Sequence, residues 1–475
     1  MLSGKDASGD KGGGKVGILK ESDREVYELV SKGGFEGYHE GLLGALKGAD
    51  GEVYELIKRE YERLGDTLIL QAAENRCSRA VLAALGSVVQ DKTAEGFAGA
   101  RMHGGCAVVD EIERLAVLRA KEAFGARYAN VQAHSGTAAN QIVITAVLEG
   151  GGKILSLGPG HGGHYSHGAS VSFTGKFFEV DNYFVDEESF LLDYEAIRKK
   201  AVEFGPRLII CGSSTYSRVI DFGKFREIAD SVGAYLIADI SHISGLVMAG
   251  AHRSPIEFAD FTTTSTYKAG GPRGGLILMG EGYDRKVEAR GEERPLWEHI
   301  EAATFPGMQG TIYLNHIAAK AVFFKEALSE EYKSRQLRII ENARRLASGL
   351  AGLGYDVLTG GTDNHLFLVN VANSREGLTG VIAQKSLEEC GIVVDMVGLP
   401  YDKRPADVGS GIRLGTPIVA RMGMGENEME KVAGMVDAVL REAVIVSESE
   451  YRINESFRDQ MREQVRDFCR GFGVG

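Results

Sequence analysis

Hydrophobic positions in the middle of the chain fall into short runs that alternate with helical stretches. Four of these runs are rich in branched side chains and are bounded by polar or glycine-rich segments. Runs of this kind are typical of buried parallel strands joined by crossover helices. The pattern therefore predicts an α/β domain with a mostly parallel sheet. The predicted strands are Ile154–Leu157, Leu208–Cys211, Tyr235–Asp239 and Leu276–Met279.

The pattern changes on both sides of this region. Residues 22–32 and 51–64 have the apolar spacing of amphipathic helices, which predicts an arm before the main domain. From about residue 316, long helical segments lead into short strands, as in a smaller α+β domain. The helices predicted there are His316–Glu330, Glu331–Leu353, Glu426–Val444 and Glu455–Phe468, and the strands are Tyr355–Leu358, Leu366–Val369 and Ile412–Leu414.

These patterns predict three parts of the chain. They are a disordered tail with an N-terminal arm over residues 1–50, a large domain over residues 51–311, and a small C-terminal domain with terminal helices over residues 312–475. The tail is predicted because glycine, lysine and aspartate dominate its first residues.

Composition and charge exclude several classes of protein. The 475 residues are 44% hydrophobic and 25% charged, which argues against a mainly disordered chain. A formal charge of −12 without a basic block argues against binding to nucleic acid or anionic membranes. No apolar run approaches the ~18 residues of a membrane span, and the N-terminus lacks the apolar segment of a secretory signal. Five scattered cysteines are typical of reduced thiols, so we expect a cytoplasmic protein.

A lysine at the end of a hydroxyl-rich run is the first candidate for chemistry. Lys268 follows the Thr and Ser residues of 262–266 and enters a glycine-rich turn. Hydroxyl groups and turn amides can donate hydrogen bonds to a phosphate, and a lysine beside them can form a Schiff base with an aldehyde cofactor. A threonine-rich strand ending in a surface turn explains the same residues, and this segment alone favours that structural interpretation.

Two further segments place polar side chains after predicted strands. Asp239 ends an apolar strand, where a carboxylate needs a cationic partner such as a protonated pyridine nitrogen. The ends of strands are also where α/β sheets bind ligands, although a lone aspartate can equally cap the next helix. Ser135 and Thr137 lie at an expected helix N-terminus, whose N–H groups bind anions; an ordinary serine N-cap is the alternative.

Histidines and an arginine complete the candidate chemistry. His161, His164 and His167 are each three residues apart, but the intervening glycines favour a loop and no acidic or thiol ligand is near. We therefore predict no metal site, and expect one ring to lie on a planar cofactor. Arg413 lies within an apolar strand and needs an anion, for which a substrate carboxylate and a structural ion pair fit equally well.

Taken in order, these segments resemble the serine hydroxymethyltransferase family, whose members are fold-type I enzymes dependent on pyridoxal phosphate (PLP). The likeness runs from about Leu68 to Thr416. It implies an aspartate aminotransferase-like large domain that binds PLP, followed by a smaller α+β domain. The matching segments are Ala73–Asn75, Lys92–Gly105, Asn130–Asn140, His161–Gly168, Tyr216–Phe222, Asp239–Gly245, Lys268–Gly275, Phe305–Gly310, Gly360–His365 and Ser410–Pro417.

The resemblance also implies a role for each candidate. Lys268 would bind the PLP aldehyde, Asp239 would pair with the ring nitrogen, and His164 would stack on the ring. Glu95 would act as the acid/base near the transferred hydroxymethyl group, and Arg413 would bind the amino acid carboxylate. The remaining cofactor-binding residues would be Ser135, Gly136, Thr137, Ser214, His242 and, from a neighbouring subunit, Gly310, with Thr93 and His103 at the substrate.

Several positions depart from the usual family motifs. Thr93 and His103 replace tyrosines, and Ala73 replaces a serine. The smaller Thr93 and Ala73 open space that could admit an α-methyl substrate. The positions that face folate in the family change most, which predicts weak binding of tetrahydrofolate. They are Met102, Pro159, Tyr165 and Val397.

The expected activity is to make or break the Cα–Cβ bond of β-hydroxy amino acids, with serine–glycine interconversion as the default. The altered positions leave other activities open: a folate-independent threonine-type aldolase or transaldolase, or an α-methylserine hydroxymethyltransferase. A non-catalytic homologue that binds PLP is the alternative from another class. The partners expected are an amino acid and further copies of the chain in a homodimer or homotetramer.

Overall fold

The computed structural model describes residues 41–289 and 291–472, so the predicted helix over residues 22–32 lies outside the described residues. The chain divides into two compact units, Met1–Arg63 and Leu64–Gly475. The described part of the first unit is helical, with one helix over 41–49 and a second, Gly51–Asp66, that continues into the second unit. Within the described ranges, no helix combines the length and apolarity that a membrane crossing requires.

Helices of very different lengths cover the sheets of the second unit. The helices that begin before residue 300 are Arg79–Leu85, Ala107–Phe124, Gly136–Val147, Tyr165–Gly168, Phe173–Phe177, Tyr194–Phe204, Phe222–Val232, Ser244–Met248 and Leu296–Ala302. The later ones are Leu314–Ala327, Glu330–Gly352, Val371–Ser374, Gly380–Glu389, Pro417–Arg421, Glu426–Glu442 and Glu455–Arg470. Two-stranded pairs outside the main sheets are Leu68–Ile69 with Ile392–Val393, Gly96–Phe97 with Ala100–Arg101, Lys286–Ala289 with Glu292–Pro295, and Val444–Ile445 with Tyr451–Arg452.

A seven-stranded sheet forms the larger layer of the second unit. Its strands are β1 (Tyr128–Asn130), β2 (Lys153–Leu157), β3 (Glu179–Tyr183), β4 (Leu208–Cys211), β5 (Tyr235–Asp239), β6 (Phe261–Ser265) and β7 (Gly275–Met279). In space they follow the order β1-β7-β6-β5-β4-β2-β3. The five strands from β3 to β6 in this order are parallel, while β7 is antiparallel to both of its neighbours. The prediction of a mostly parallel α/β sheet is confirmed.

One predicted parallel strand is wrong in its direction. Leu276–Met279 lies in β7, which runs antiparallel to β6 and β1. Residues 266–274 alone connect β6 to β7, and a parallel crossover needs roughly a dozen residues or more. The chain therefore turns back at the sheet edge and places Lys268 within that turn.

Both faces of the large sheet are buried, which explains the continuous hydrophobic runs. Ile209 and Leu236 pack in one core cluster, whereas Ile210 and Ile237, the next residues along the same strands, pack in another. Successive side chains of a strand point to opposite faces, so a strand covered on both sides is apolar throughout.

A four-stranded antiparallel sheet forms the smaller layer. Its strands are β8 (Asp356–Val357), β9 (Leu366–Asn370), β10 (Asp395–Val397) and β11 (Gly411–Gly415), in the order β8-β9-β11-β10. A separate hydrophobic cluster covers it, with the helices Glu330–Gly352 and Glu426–Glu442 packed together. An α+β region is therefore present, while the boundaries predicted at residues 50 and 311 stay predictions.

Candidate active site

A cavity of about 240 Å³ opens where the parallel strands of the large sheet end. Asp239 is the last residue of β5, and the loops after β1, β4 and β6 bring further polar residues to the same edge. The carboxyl ends of parallel strands meet at one edge, so residues far apart in sequence converge there. Eight predicted site residues line the cavity: Ser135, Gly136, Thr137, His164, Ser214, Asp239, His242 and Lys268.

The helix Gly136–Val147 begins at the wall of this cavity. Ser135 is its N-cap and accepts a hydrogen bond from the Ala138 amide at 3.0 Å. A Cβ on Gly136 would lie 3.2 Å from the Ser265 Cβ and 3.3 Å from the Ser265 amide, so glycine keeps the space in front of the helix open. The first turn of a helix presents unpaired N–H groups and positive potential, so this end of the cavity has the chemistry that the predicted anion site requires.

Lys320, a buried lysine that the sequence analysis missed, holds the backbone next to this end of the cavity. Lys320 is 2% exposed, and its ammonium donates to the carbonyls of Val131, Ala133 and Gly275 at 2.6, 3.3 and 2.7 Å. Burial lowers the pKa of Lys320 to about 7. A Cβ on Gly274, whose φ is +153°, would lie 2.4 Å from the Lys320 Cε. Lys320 thus ties the segment before Ser135 to the start of β7.

Lys268 points its amine into the same cavity. Its Nζ donates to the Ser265 Oγ at 3.1 Å and lies 4.4 Å from the centre of the Tyr267 ring. The Arg273 guanidinium lies 4.3 Å from the centre of that ring. Tyr267 therefore provides an aromatic surface beside two cations. The Asn75 side chain donates to the Lys268 carbonyl at 3.1 Å and holds the turn.

Asp239 is a buried carboxylate with four hydrogen bonds. Its Oδ2 accepts from Asn140 at 2.8 Å and contacts the His167 Nε2 at 2.9 Å, while its Oδ1 accepts from the Ser241 amide and hydroxyl at 2.9 and 2.6 Å. Burial alone would raise the pKa of Asp239, but the hydrogen bonds from His167, Asn140 and Ser241 hold it well below its ordinary value. The carboxylate therefore stays ionised at the cavity wall.

The three histidines of the glycine-rich loop have separate environments. His164 lines the cavity, and its Nδ1 lies 2.8 Å from the Ser166 Oγ. His167 is the partner of Asp239, a role that its spacing did not indicate. His161 packs against Phe184 and Tyr401, with ring centres 4.7 and 4.6 Å apart. Nowhere in the described ranges do three His, Cys, Asp or Glu side chains form a group that could hold a metal ion.

A second pair of histidines borders the cavity. The Nδ1 of His242 lies 3.4 Å from the Nε2 of His365, and their rings stack at 5.5 Å. Burial, together with the charges of Lys268 and Arg413, lowers the pKa of His242 well below its usual value. The same effects lower the pKa of His365 to about 3, so both rings are neutral at pH 7. A neutral imidazole can accept as well as donate a hydrogen bond, which suits a ring oxygen of a cofactor.

Arg413 pairs with a carboxylate of the chain itself. Its Nε and Nη2 donate to the Asp395 Oδ2 at 3.2 and 2.6 Å, and its Nη1 donates to the Ser214 carbonyl at 2.7 Å. The structural ion pair that the sequence left open is therefore present. Ser214 lines the cavity, so the guanidinium is hydrogen-bonded to a residue of the cavity wall. The role of Arg413 in binding substrate stays a prediction.

The remaining predicted residues form a separate cluster. His103 lies 3.3 Å from one Glu95 oxygen, and Thr311 donates to the other at 3.4 Å. A Cβ on Gly310 would lie 3.4 Å from the same carboxylate. Thr93, His103 and Gly310 are exposed, and the described lining of the Lys268 cavity includes neither these residues nor Glu95. Thr311 also contacts His134, which lines the cavity, so the cluster lies beside the cavity without being part of its described lining.

The cluster is held by a buried ion-pair network on the helix Ala107–Phe124. Arg101 bonds to Asp110 at 2.8 Å and also pairs with Glu113. Asp110 accepts from the Gly99 amide at 2.7 Å, which fixes the hairpin of residues 96–101. The Glu95 loop is therefore anchored by buried ion pairs, although the predicted site residues Thr93 and His103 are exposed.

The cavity fits PLP in the chemistry of its donors. An anion site lies at one wall, a lysine amine lies beside it, and a buried ionised carboxylate faces the same space. PLP carries a phosphate, an aldehyde and a basic ring nitrogen, and each has a complementary group here. Five residues that the sequence analysis missed take part in the site through contacts between distant segments of the chain. They are Asn140, His167, Lys320, His365 and Asp395.

Comparison with known proteins agrees with this chemistry. The family model described as serine hydroxymethyltransferase matches residues 46–436. A curated serine hydroxymethyltransferase from Methanosarcina barkeri is 45% identical over 419 residues, which cover 88% of this chain and 96% of that protein. The fold-type I architecture expected of the family is the one observed in the large sheet. The chain therefore belongs to the serine hydroxymethyltransferase family of PLP-dependent enzymes.

Proposed function

We propose that this protein interconverts serine and glycine, with PLP bound in the cavity that contains Lys268. The observation that supports this most directly is the convergence of the Lys268 amine, the Asp239 carboxylate and the Ser135–Thr137 helix terminus on one cavity. Cleavage of the serine Cα–Cβ bond would leave negative charge on Cα, for which bound PLP supplies an electron sink, and Cα would then take up a proton to give glycine. The hydroxymethyl carbon would leave at the oxidation level of formaldehyde, and tetrahydrofolate would be its acceptor in the hydroxymethyltransferase reaction.

The residues of the chain would hold the cofactor and tune it. The amides and hydroxyls of Ser135–Thr137 would bind the phosphate, and Lys268 would bind the aldehyde carbon covalently. Asp239 stays ionised, so it would favour a protonated ring nitrogen and thereby strengthen the electron sink. The flat ring of His164 would lie against the cofactor, and neutral His242 with Ser214 would bond to the ring oxygen.

The substrate would be held by its carboxylate and its hydroxyl. Arg413 would bind the carboxylate with the donors left free on its guanidinium. Glu95 would accept the hydroxyl proton as the bond breaks and return it in the reverse reaction. His103 touches Glu95 and would face the same part of the substrate.

We also propose a cytoplasmic homodimer as the smallest active form. Glu95, His103 and Gly310 lie together, and neither they nor Thr93 belong to the described lining of the Lys268 cavity of their own chain. A second copy would bring this cluster to the cavity and so complete the site. Sedimentation should give a dimer or a tetramer, and a fully active monomer would contradict this arrangement.

The test of the cofactor assignment is chemical labelling. PLP-loaded protein treated with borohydride should carry the cofactor on Lys268, as shown by peptide mapping. Lys268→Ala should bind PLP reversibly but lose the label and the conversion of serine to glycine, while Lys176→Ala, an ordinary surface lysine, should keep both. A label on another lysine, or no PLP binding, would refute the proposal.

A folate-independent aldolase is the second candidate, favoured by one observation. Val397 packs against the apolar cluster of Leu358, Leu368 and Leu399, where an amide contact to a pterin would need a polar side chain. Tyr165 is 67% exposed and adds bulk to the same predicted surface. Calorimetry with tetrahydrofolate in the presence of glycine, beside aldehyde release from threonine or phenylserine, distinguishes the candidates. Tight, glycine-enhanced binding of tetrahydrofolate would exclude the aldolase.

A further inference from the structure

We propose that Asp395 sets the affinity of the site for the amino acid carboxylate by competing with it for Arg413. This inference rests on the proposed function, because it concerns the same amino acid substrate. It assigns Asp395 as a positioning residue that acts through Arg413 and is not itself in contact with the reacting atoms.

The geometry of the pair is fixed by the small sheet. Asp395 in β10 and Arg413 in β11 are direct partners in the antiparallel register, so their side chains lie on the same face. The Asp395 Oδ2 accepts hydrogen bonds from both Nε and Nη2 of the arginine, and its Oδ1 accepts one from the Gln71 side-chain amide at 2.8 Å. Both carboxylate oxygens are therefore occupied, and the guanidinium is held in one orientation.

The donors that remain on Arg413 define where a substrate carboxylate can bind. A guanidinium has five N–H groups, and Asp395 takes one from Nε and one from Nη2. The Ser214 carbonyl takes one from Nη1. One N–H on each terminal nitrogen is left to donate to a substrate carboxylate.

Charge determines the consequence of this arrangement. The side chains of Arg413 and Asp395 are 12% and 21% exposed, so little water screens them. Before substrate binds, the pair is neutral and the arginine is fully compensated. A substrate carboxylate must then share the guanidinium with a second carboxylate of the same sign, and this repulsion lowers its affinity. Asp395 thus keeps Arg413 oriented but limits how tightly any carboxylate binds.

The test is the variant Asp395→Asn in the PLP-loaded enzyme. Asparagine still offers an oxygen to Arg413, and Gln71 can turn its own amide to pair with the new NH2 group. Glycine binding, measured by calorimetry, should tighten about tenfold, which corresponds to ~1.4 kcal/mol. Glycinamide, which lacks the carboxylate, should gain little, and a purely structural role for Asp395 would not separate these two ligands.

Asp363→Asn is the matched control. Asp363 pairs with Arg218 at 3.1 Å, so the change removes an equal charge from another arginine pair of the same chain. It should leave glycine affinity unchanged. If Asp395→Asn does not fold, Asp395→Ser removes the same charge, keeps an acceptor oxygen, and should also bind glycine more tightly.

The outcomes separate this inference from the proposed function. Tighter binding of glycine but not glycinamide by the Asp395 variant supports the competition. Wild-type binding of glycine without a gain in the variant, or an equal gain for glycinamide, would overturn the inference alone. Failure of the PLP-loaded wild-type protein to bind glycine would overturn the proposed function and this inference together.

Discussion

Replacing Asp239 by asparagine should separate cofactor binding from turnover. The substitution keeps the size of the side chain but removes its charge and turns one acceptor oxygen into an NH2 donor. The anion site at Ser135–Thr137 and the Lys268 amine do not contact Asp239 through any of its four hydrogen bonds. PLP should therefore still bind, whereas the ring nitrogen would lose the negative partner that favours its protonated form.

The losses of apoprotein stability and of turnover can both be estimated from the environment of Asp239. Each Asp239 oxygen accepts two, so an asparagine NH2 group must face donors on either side. One buried donor left unpaired costs about 1–3 kcal/mol, and the apoprotein should lose about that much stability. Loss of a preorganised charge next to developing charge costs about 10²–10³ in rate, or about 2.7–4 kcal/mol in activation free energy, so turnover should fall by that factor.

Three measurements check this reasoning: PLP affinity by absorbance titration, turnover of serine to glycine, and unfolding of the apoprotein in urea. Asp260→Asn is the control, since Asp260 is also a buried carboxylate paired with arginines but lies away from the cavity. It should cost stability while the PLP-loaded enzyme keeps its turnover. An Asp239→Asn enzyme with unchanged kcat would show that Asp239 is a structural cap and that the electronic argument is wrong.

Three further predictions concern Gly136 in the wall of the cavity and two buried residues, His365 and Lys320, that contact residues around it. Gly136→Ala should weaken PLP binding about tenfold, because its Cβ would lie 3.2 to 3.4 Å from Ser265 and Ser241 and displace these neighbours of the predicted phosphate-binding amides. The same overpacking should lower apoprotein stability by about 1–3 kcal/mol; absorbance titration and urea unfolding measure the two effects. The pKa of His365 is about 3 in the folded protein and about 6.5 in the unfolded chain. Below about pH 6.5 the unfolded chain therefore takes up a proton that the folded protein does not, and the free energy of unfolding falls. Between pH 7 and pH 5 the free energy of unfolding of the apoprotein should fall by about 2 kcal/mol more in the wild type than in His365→Gln. The same pH dependence in both proteins would contradict this reasoning. Lys320→Met should remove the common donor of three carbonyls, of which Ala133 alone is shown to keep another donor, the Gly275 amide, and should lower both stability and PLP affinity. A variant with wild-type PLP affinity would show that the lysine does not position the predicted anion site.

Four of the seven strands of the large sheet could be predicted closely, because their burial is visible in sequence. Tyr235–Asp239 and Leu208–Cys211 were predicted with the bounds that the structure has, since strands covered on both faces are apolar at every position. The direction of β7 was not predictable from its own residues, because direction depends on the length of the connection before it. Local pattern therefore determined which residues form strands but not how every strand is oriented.

Partners of the site residues were much harder to predict. Arg413 needed an anion, but the sequence could not choose Asp395, which is brought opposite it only by the register of β10 and β11. His167 was grouped with its neighbours in the loop, although its partner is Asp239, 72 residues away. Hydrogen bonds between distant segments depend on tertiary packing, and no periodicity in a single segment reports them.

The position of Lys320 in the chain has a consequence for the order in which the protein assembles. Its three carbonyl partners lie 189, 187 and 45 residues earlier, on both sides of the turn that contains Lys268. During synthesis, the segments that form the cavity leave the ribosome well before the helix Leu314–Ala327 does. Until that helix docks, the carbonyls before Ser135 and at Gly275 lack their common donor. The cofactor site is therefore completed late, and a nascent chain that ends before residue 320 should be unable to capture PLP.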